Sequence, residues 1–166
     1  TSSPNQMAAT NYRSQVSANQ LKATSEVSEV FTGMREKIMD LFNKIDLSRV
    51  GDVPANLRKG QSDLLGVFGR ETSIGGLGKG AMDVFKSLGK DENVAEIKKL
   101  MADSNEKLVD IQQTQKEGNK IAGIQRDIAI RRADFDRTLK AGGGLGSFMD
   151  RGEKFKQIGD IYGAQF

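Results

Sequence analysis

Between residues 27 and 45 the apolar positions recur at helical spacing. Val27, Phe31, Met34, Ile38, Leu41 and Ile45 step alternately by four and three residues, the average of a heptad seam. Leu21, Val30 and Phe42 widen the stripe beside it, and Ser48, Gly51 and Pro54 then end it, as small and helix-breaking residues do. The spacing predicts a first long helix from roughly Asn11 to Leu47, with its heptad-patterned part in 26–50. Residues 1–25 are rich in Ser, Thr, Asn and Gln and carry Pro4. They read as a polar N-terminal arm or a weakly helical lead-in.

The pattern changes over 51–90, where glycine stands at 51, 60, 66, 69, 75, 76, 78, 80 and 89. Each glycine costs about 1 kcal/mol relative to alanine in a helix interior. The segment is therefore expected to be a glycine-rich hinge, centred on Gly75, Gly76, Gly78 and Gly80, with one or two short amphipathic helices. Their apolar islands are Leu64, Leu65, Val67 and Phe68, then Ala81, Met82, Val84, Phe85 and Leu88.

A second long helix is predicted over 91–141. Asp91 and Glu92 suit the positive end of its dipole, and no proline interrupts it. Ile97, Met101, Leu108 and Ile111 mark one seam, and Ile121, Ile124, Ile128, Phe135 and Leu139 mark another, with a change of register near Gly118. Gly142, Gly143 and Gly144 end the helix and open a glycine-hinged, amphipathic C-terminal segment, 142–166. At about 1.5 Å per residue the second helix would be roughly 75 Å long, so the chain is expected to be elongated. An internal echo links Gly75–Gly89 with Gly143–Gly159. In both, Gly-Gly-Leu-Gly precedes Met-Asp and a Phe-Lys pair, so that helix-then-glycine-segment reads as a repeating unit.

Composition alters this picture in one respect. Hydrophobic residues are 37% of the chain, aromatics 6%, and there is no tryptophan, which leaves little material for a thick core. The expected fold is all-α, two long helices joined by the hinge, completed by oligomerisation along the seam residues of both helices. The absence of cysteine and histidine excludes disulfides, thiol nucleophiles, the usual zinc ligand sets and the commonest general base near neutral pH. Net charge is only +3, and 91–141 holds 10 basic and 10 acidic residues, so no basic arm marks nucleic-acid binding. No apolar run approaches the roughly 20 residues of a membrane-spanning helix, and no basic-then-apolar secretory pattern stands at the N-terminus.

The short motifs carry little chemistry. The Gly76-x-Gly78-x-Gly80 run holds Lys79 but lacks the Gly-Lys-Ser/Thr ending that would hold magnesium, and no strand precedes it. Ser87 and Lys90 match a serine-x-x-lysine spacing without its companion motifs. Carboxylates such as Glu92, Glu96 and Asp103 alternate with Lys and Arg, as on a solvated helix face. Arg126, Arg131, Arg132 and Arg137 form the densest basic patch. Asp127, Asp134 and Asp136 interleave with it, which favours interhelix salt bridges over phosphate contacts. Along the second helix Ser104, Gln112, Gln113, Gln115, Asn119, Lys120 and Gln125 stand where a tight two-stranded coiled coil wants leucine. This polar seam suits helices packed side by side in a ring or tube, or laid against another protein. The amphipathic segments Ile74–Gly89 and Leu145–Tyr162 fit packing on neighbouring subunits better than a lipid interface, because Asp83, Asp150 and Asp160 dilute their positive face. No catalytic residue, metal or cofactor is expected, and the chain does not read as an enzyme.

The Gln- and Asn-rich helices, the segments Gln112–Glu117 and Lys120–Gln125, and the glycine-hinged amphipathic pieces together resemble two groups of proteins. These are the internal or ejection proteins of tailed bacteriophages and the DNA pilot proteins of small isometric phages. The resemblance is one of style over about half the chain and rests on no diagnostic motif, so it assigns no residue a role. It implies a virion protein that leaves the particle with the genome and assembles as a helical ring or tube through the host envelope. Its partners would be copies of itself and other virion proteins, with transient contact to the host membrane and to DNA. A cytoplasmic helical adaptor or scaffold subunit is the other class compatible with the pattern.

Overall fold

The computed structural model describes residues 3–45 and 53–141. Among these the fold is all-α: α1 spans Pro4–Asn43, α2 Val53–Arg70, α3 Ile74–Ser87 and α4 Asp91–Ala141. The described residues divide into two compact units. A core unit comprises 24–112, and a hairpin unit comprises the chain up to Ala23 together with the chain from Gln113. The C-terminal segment, with Gly142, Gly143, Gly144 and the second copy of the echo, lies outside the described residues, as does Leu47.

α1 starts earlier than its apolar pattern does, at Pro4. The Ser3 hydroxyl accepts from the Gln6 N–H at 3.2 Å, and the Ser3 N–H donates to Gln6 Oε1 at 3.0 Å. This reciprocal capping box, with proline in the first helical position, satisfies helix-end donors that would otherwise be unpaired. The segment read as a polar arm or lead-in is thus helical from Pro4 onward. α4 occupies the span Asp91–Ala141, with both acidic residues in its first turn.

In the core unit, Met34, Ile38 and Ile45 of the α1 stripe are buried with Phe42, and Phe31 and Leu41 are half-buried against them. α2 adds Leu64 and Val67, α3 adds Ile74, Leu77, Ala81, Val84 and Phe85, and α4 adds Ile97. The Phe42 and Phe85 rings lie 6.5 Å apart with planes tilted by 59°, within the range of favourable aromatic pairs. Each fully buried side chain of this size contributes about 1.5–3 kcal/mol, so this cluster dominates the unit's stability.

The glycine-rich stretch carries its two apolar islands on helices. It is two helices, of 18 and 14 residues, and Gly75, Gly76, Gly78 and Gly80 all lie inside α3. The buried face of α3 offsets the helix propensity that the glycines lack. Two of them are positions of close approach. A Cβ at Gly80 would stand 2.7 Å from Val67 Cγ1 on α2, and one at Gly78 would collide with the Met101 side chain on α4. The helix is also well ended. Ser73 Oγ accepts from the Gly76 N–H at 3.0 Å. At the other end Gly89 has φ +72°, its N–H donates to Lys86 O at 3.0 Å, and the Lys90 N–H donates to Phe85 O at 2.9 Å. This is a Schellman termination, which a left-handed glycine makes without strain.

The hairpin unit is built differently. Asn19 Nδ2 donates to Asn119 Oδ1 at 3.1 Å, and the Arg126 guanidinium lies 4.4 Å from the centre of the Tyr12 ring. Residue numbers rise on α1 as they fall on α4, so the two segments pair antiparallel. The change of register expected near Gly118 falls where a Cβ at Gly118 would meet Asn19 Nδ2 at 3.0 Å. The buried apolar residues here are Ala8, Ala23, Ala122, Ile128 and Phe135, three of them alanine.

Two predictions separate helical glycines from hinge glycines. Gly66 lies inside α2 with nothing within 4 Å of an added Cβ. Gly66→Ala should raise stability by about 0.5–1 kcal/mol in denaturant titration, and a loss would show that this stretch is not helical. Gly80→Ala should lower it by about 1–3 kcal/mol through the crowding of Val67. Separately, Gly89→Ala should lower stability by about 1–2 kcal/mol, the cost of a left-handed alanine, while Gly69→Ala, with open space around it, should not.

Candidate functional site

Within the core unit the facing sides of α1 and α4 do not close completely. They leave a cleft of about 460 Å³, a volume typical of ligand and partner pockets. Two small residues account for it. Gly33 has nothing within 4 Å of where its Cβ would be, and Ser104 on α4 lines the same cleft. Ser104 is 7% exposed and is the buried polar residue of the described chain. A larger apolar residue at either position would extend the seam across the gap.

The lining divides into an apolar floor and a charged rim. Val30, Met34, Leu100 and Ile111 form the floor. On the rim stand the carboxylates of Glu26, Glu29, Asp103 and Asp110, against the ammonium groups of Lys37 and Lys107. The surplus of carboxylates favours a cationic occupant, and the floor favours one that also brings an apolar side chain. A smaller groove of about 360 Å³ lies between α2 and α3, lined by Asp63, Gly66, Arg70, Gly80, Asp83 and Ser87. Arg70 is already 3.5 Å from the Glu71 carboxylate, and the Ser87 hydroxyl donates to Val84 O at 2.7 Å.

The seam residues expected to join copies of the chain mostly meet inside one chain. Met34, Ile38, Ile45 and Ile97 are buried in the core unit, and Phe31, Leu41, Met101 and Leu108 are half-buried on it. Val27 is half-buried, and so is Ile111 in the cleft. In the hairpin unit Ile128 and Phe135 are buried, Ile124 and Leu139 are half-buried, and Ile121 is 53% exposed. Packing within the chain answers the heptad pattern of both helices, which sequence spacing alone cannot distinguish from pairing between chains.

Two arginines of the basic patch have carboxylate partners. Arg126 lies 3.2 Å from the Asp127 carboxylate, and Arg137 pairs with Asp134. Both pairs lie within α4 rather than between helices, and exposed pairs of this kind add little stability. Arg131 and Arg132 stand exposed on the same helix. The Gly76–Gly80 run forms no phosphate-cradling loop, because it is helical and the Gly76 N–H is held by Ser73.

The cleft is the feature that sequence reading missed. Ser104 was visible as a polar interruption of the second helix, and Gly33 as a glycine inside the first heptad seam. Only the fold sets the two positions along one cleft. Among the described residues no group of three or more acidic side chains is placed to hold a metal ion, and no helix is long and apolar enough to cross a membrane. The chain matches no known protein family, no curated protein and no solved structure.

Proposed function

We propose that this chain is a structural virion protein of a bacteriophage, an internal or ejection protein that assembles into a helical ring or tube and helps carry the genome through the host envelope. The observation that carries the reading is the polar register of the hairpin unit, in which Asn19 pairs with Asn119 across α1 and α4. A buried or half-buried Asn pair fixes alignment at a cost in stability. It suits helices that are held in register while their remaining faces stay hydrated. The resemblance of the Gln- and Asn-rich helices to phage internal and pilot proteins supplies the virion setting.

The charge of α4 fits the same role. Its ten basic and ten acidic residues give a surface that does not accumulate phosphate contacts, each of which would release counterions and tighten binding. A conduit for DNA has to line the path without gripping the strand. Partners on this reading are further copies of the chain, other virion proteins and, transiently, the host membrane.

The cleft of the core unit favours a second reading, a helical adaptor or scaffold subunit. An acidic, apolar-floored groove between two helices is a seat for a helix of a different protein.

Light scattering and electron microscopy of the purified chain across a wide concentration range discriminate between the two. The virion reading expects masses of many copies and visible rings or tubes. A monomer at every concentration would sink it, and a monomer that gains a stoichiometric helical partner would establish the adaptor.

A further inference from the structure

The cleft between α1 and α4 has a counterpart on the opposite kind of surface of the same unit. α2 buries Leu64 and Val67 in the core but leaves Leu65 57% exposed. Arg58 and Gly69 lie seven residues before Leu65 and four after it, and Gln61 lies four before. At 100° per residue all four fall on one helix face, and Arg58, Gln61 and Gly69 are exposed there. This face is an apolar knob with a cation two turns away and no acidic residue on it.

The cleft has the complementary pattern. Glu26, Glu29, Gly33 and Lys37 on α1 have the same spacing, 0, 3, 7 and 11, as Arg58, Gln61, Leu65 and Gly69 on α2. Gly33 is the empty position at the centre of the cleft, where Leu65 is the filled position at the centre of the α2 face. Along α1 the acidic lining residues Glu26 and Glu29 precede Gly33 and Lys37 follows it, so the acidic end of this face is the one that attracts Arg58. Charge and shape therefore set the same orientation.

We propose that α2 of one copy docks in the α1–α4 cleft of the next, parallel to α1, with Leu65 filling the space over Gly33 and Arg58 against the Glu29 carboxylate. This rests on the self-assembly proposed above and names the surfaces that carry it. The two surfaces share no residue, so the contact is heterologous. Such a contact propagates from copy to copy, and closes into a ring or continues as a helical tube according to the rotation between neighbours. An isologous contact would stop at a pair.

The test uses two variants of the full chain, Leu65→Gln to remove the knob and Gly33→Leu to fill the hole. Both alter positions with free space around them, and circular dichroism and melting verify that each folds. Sedimentation should show self-association weakened on the order of tenfold or more for each variant alone, as for the loss of a central anchor. A 1:1 mixture retains one intact knob and one intact hole, so it should form a two-chain complex and go no further. Arg58→Glu, on an exposed site, should weaken association in the same direction and serves if Gly33→Leu does not fold. Should the wild type assemble and all variants assemble equally well, this interface is wrong while the assembly reading stands. A wild type that stays monomeric at all concentrations overturns both.

Discussion

The close approach of α3 to its neighbours is the constraint on which the core unit depends. Gly80 brings the α3 backbone against Val67 of α2, and Gly78 brings it against Met101 of α4. With side chains at these positions, α3 would stand farther off and the faces carrying Leu77, Ala81, Val84 and Phe85 would not fill the space they now fill. Protein interiors are packed densely enough that even a small displacement loses dispersion energy. The same glycines are poor helix formers. Helix propensity and packing therefore oppose each other along α3, and the caps at Ser73 and Gly89 reduce the imbalance by satisfying both helix ends.

That opposition explains which parts of the fold were legible in the sequence. The second long helix could be placed at 91–141 because its first-turn acids and the glycine run that follows agree with its length and lack of proline. The heptad spacing from Val27 to Ile45 likewise located the buried stripe of α1. Residues 51–90 were harder, since intrinsic propensity argues against a long helix there and only tertiary contact overrides it. The start of α1 was encoded after all, in Ser3-Pro4-Asn5-Gln6, a short signal outweighed by the polar composition around it. The candidate site was the least legible. Gly33 and Ser104 are distant in sequence, and neither signifies a cleft until the fold places both along the same one.

The two units solve the burial problem by different means. The core unit concentrates Phe42, Phe85, Met34, Ile38, Leu64, Leu77 and Ile97 in one cluster, and its stability follows from buried apolar area. The hairpin unit buries three alanines with Ile128 and Phe135 and adds the Asn19–Asn119 hydrogen bond and the Arg126–Tyr12 contact. A net hydrogen bond contributes about 0.5–1.5 kcal/mol and a partly exposed cation–π contact about 0.5–1 kcal/mol. Neither matches the burial of a single large side chain. Local opening should accordingly be easier in the hairpin unit than in the core unit.

This difference bears on how a chain of this composition assembles. A protein with few large apolar residues can use them to make one rigid unit or spread them thinly over many interfaces. Here most are spent inside the core unit, and the few left exposed there include Leu65 and Val109. On the proposed reading, an interface between copies formed by the described part of the core unit relies on a small anchor, a hole that accepts it and charges that orient it. Association of that kind is weak per contact and gains strength by repetition around a ring or along a tube. On the proposed reading this is an advantage, since a conduit assembled for one passage must form from separate chains at the moment of delivery. Weak, directional and repeated contacts permit that, whereas a broad apolar interface would already have joined the chains beforehand.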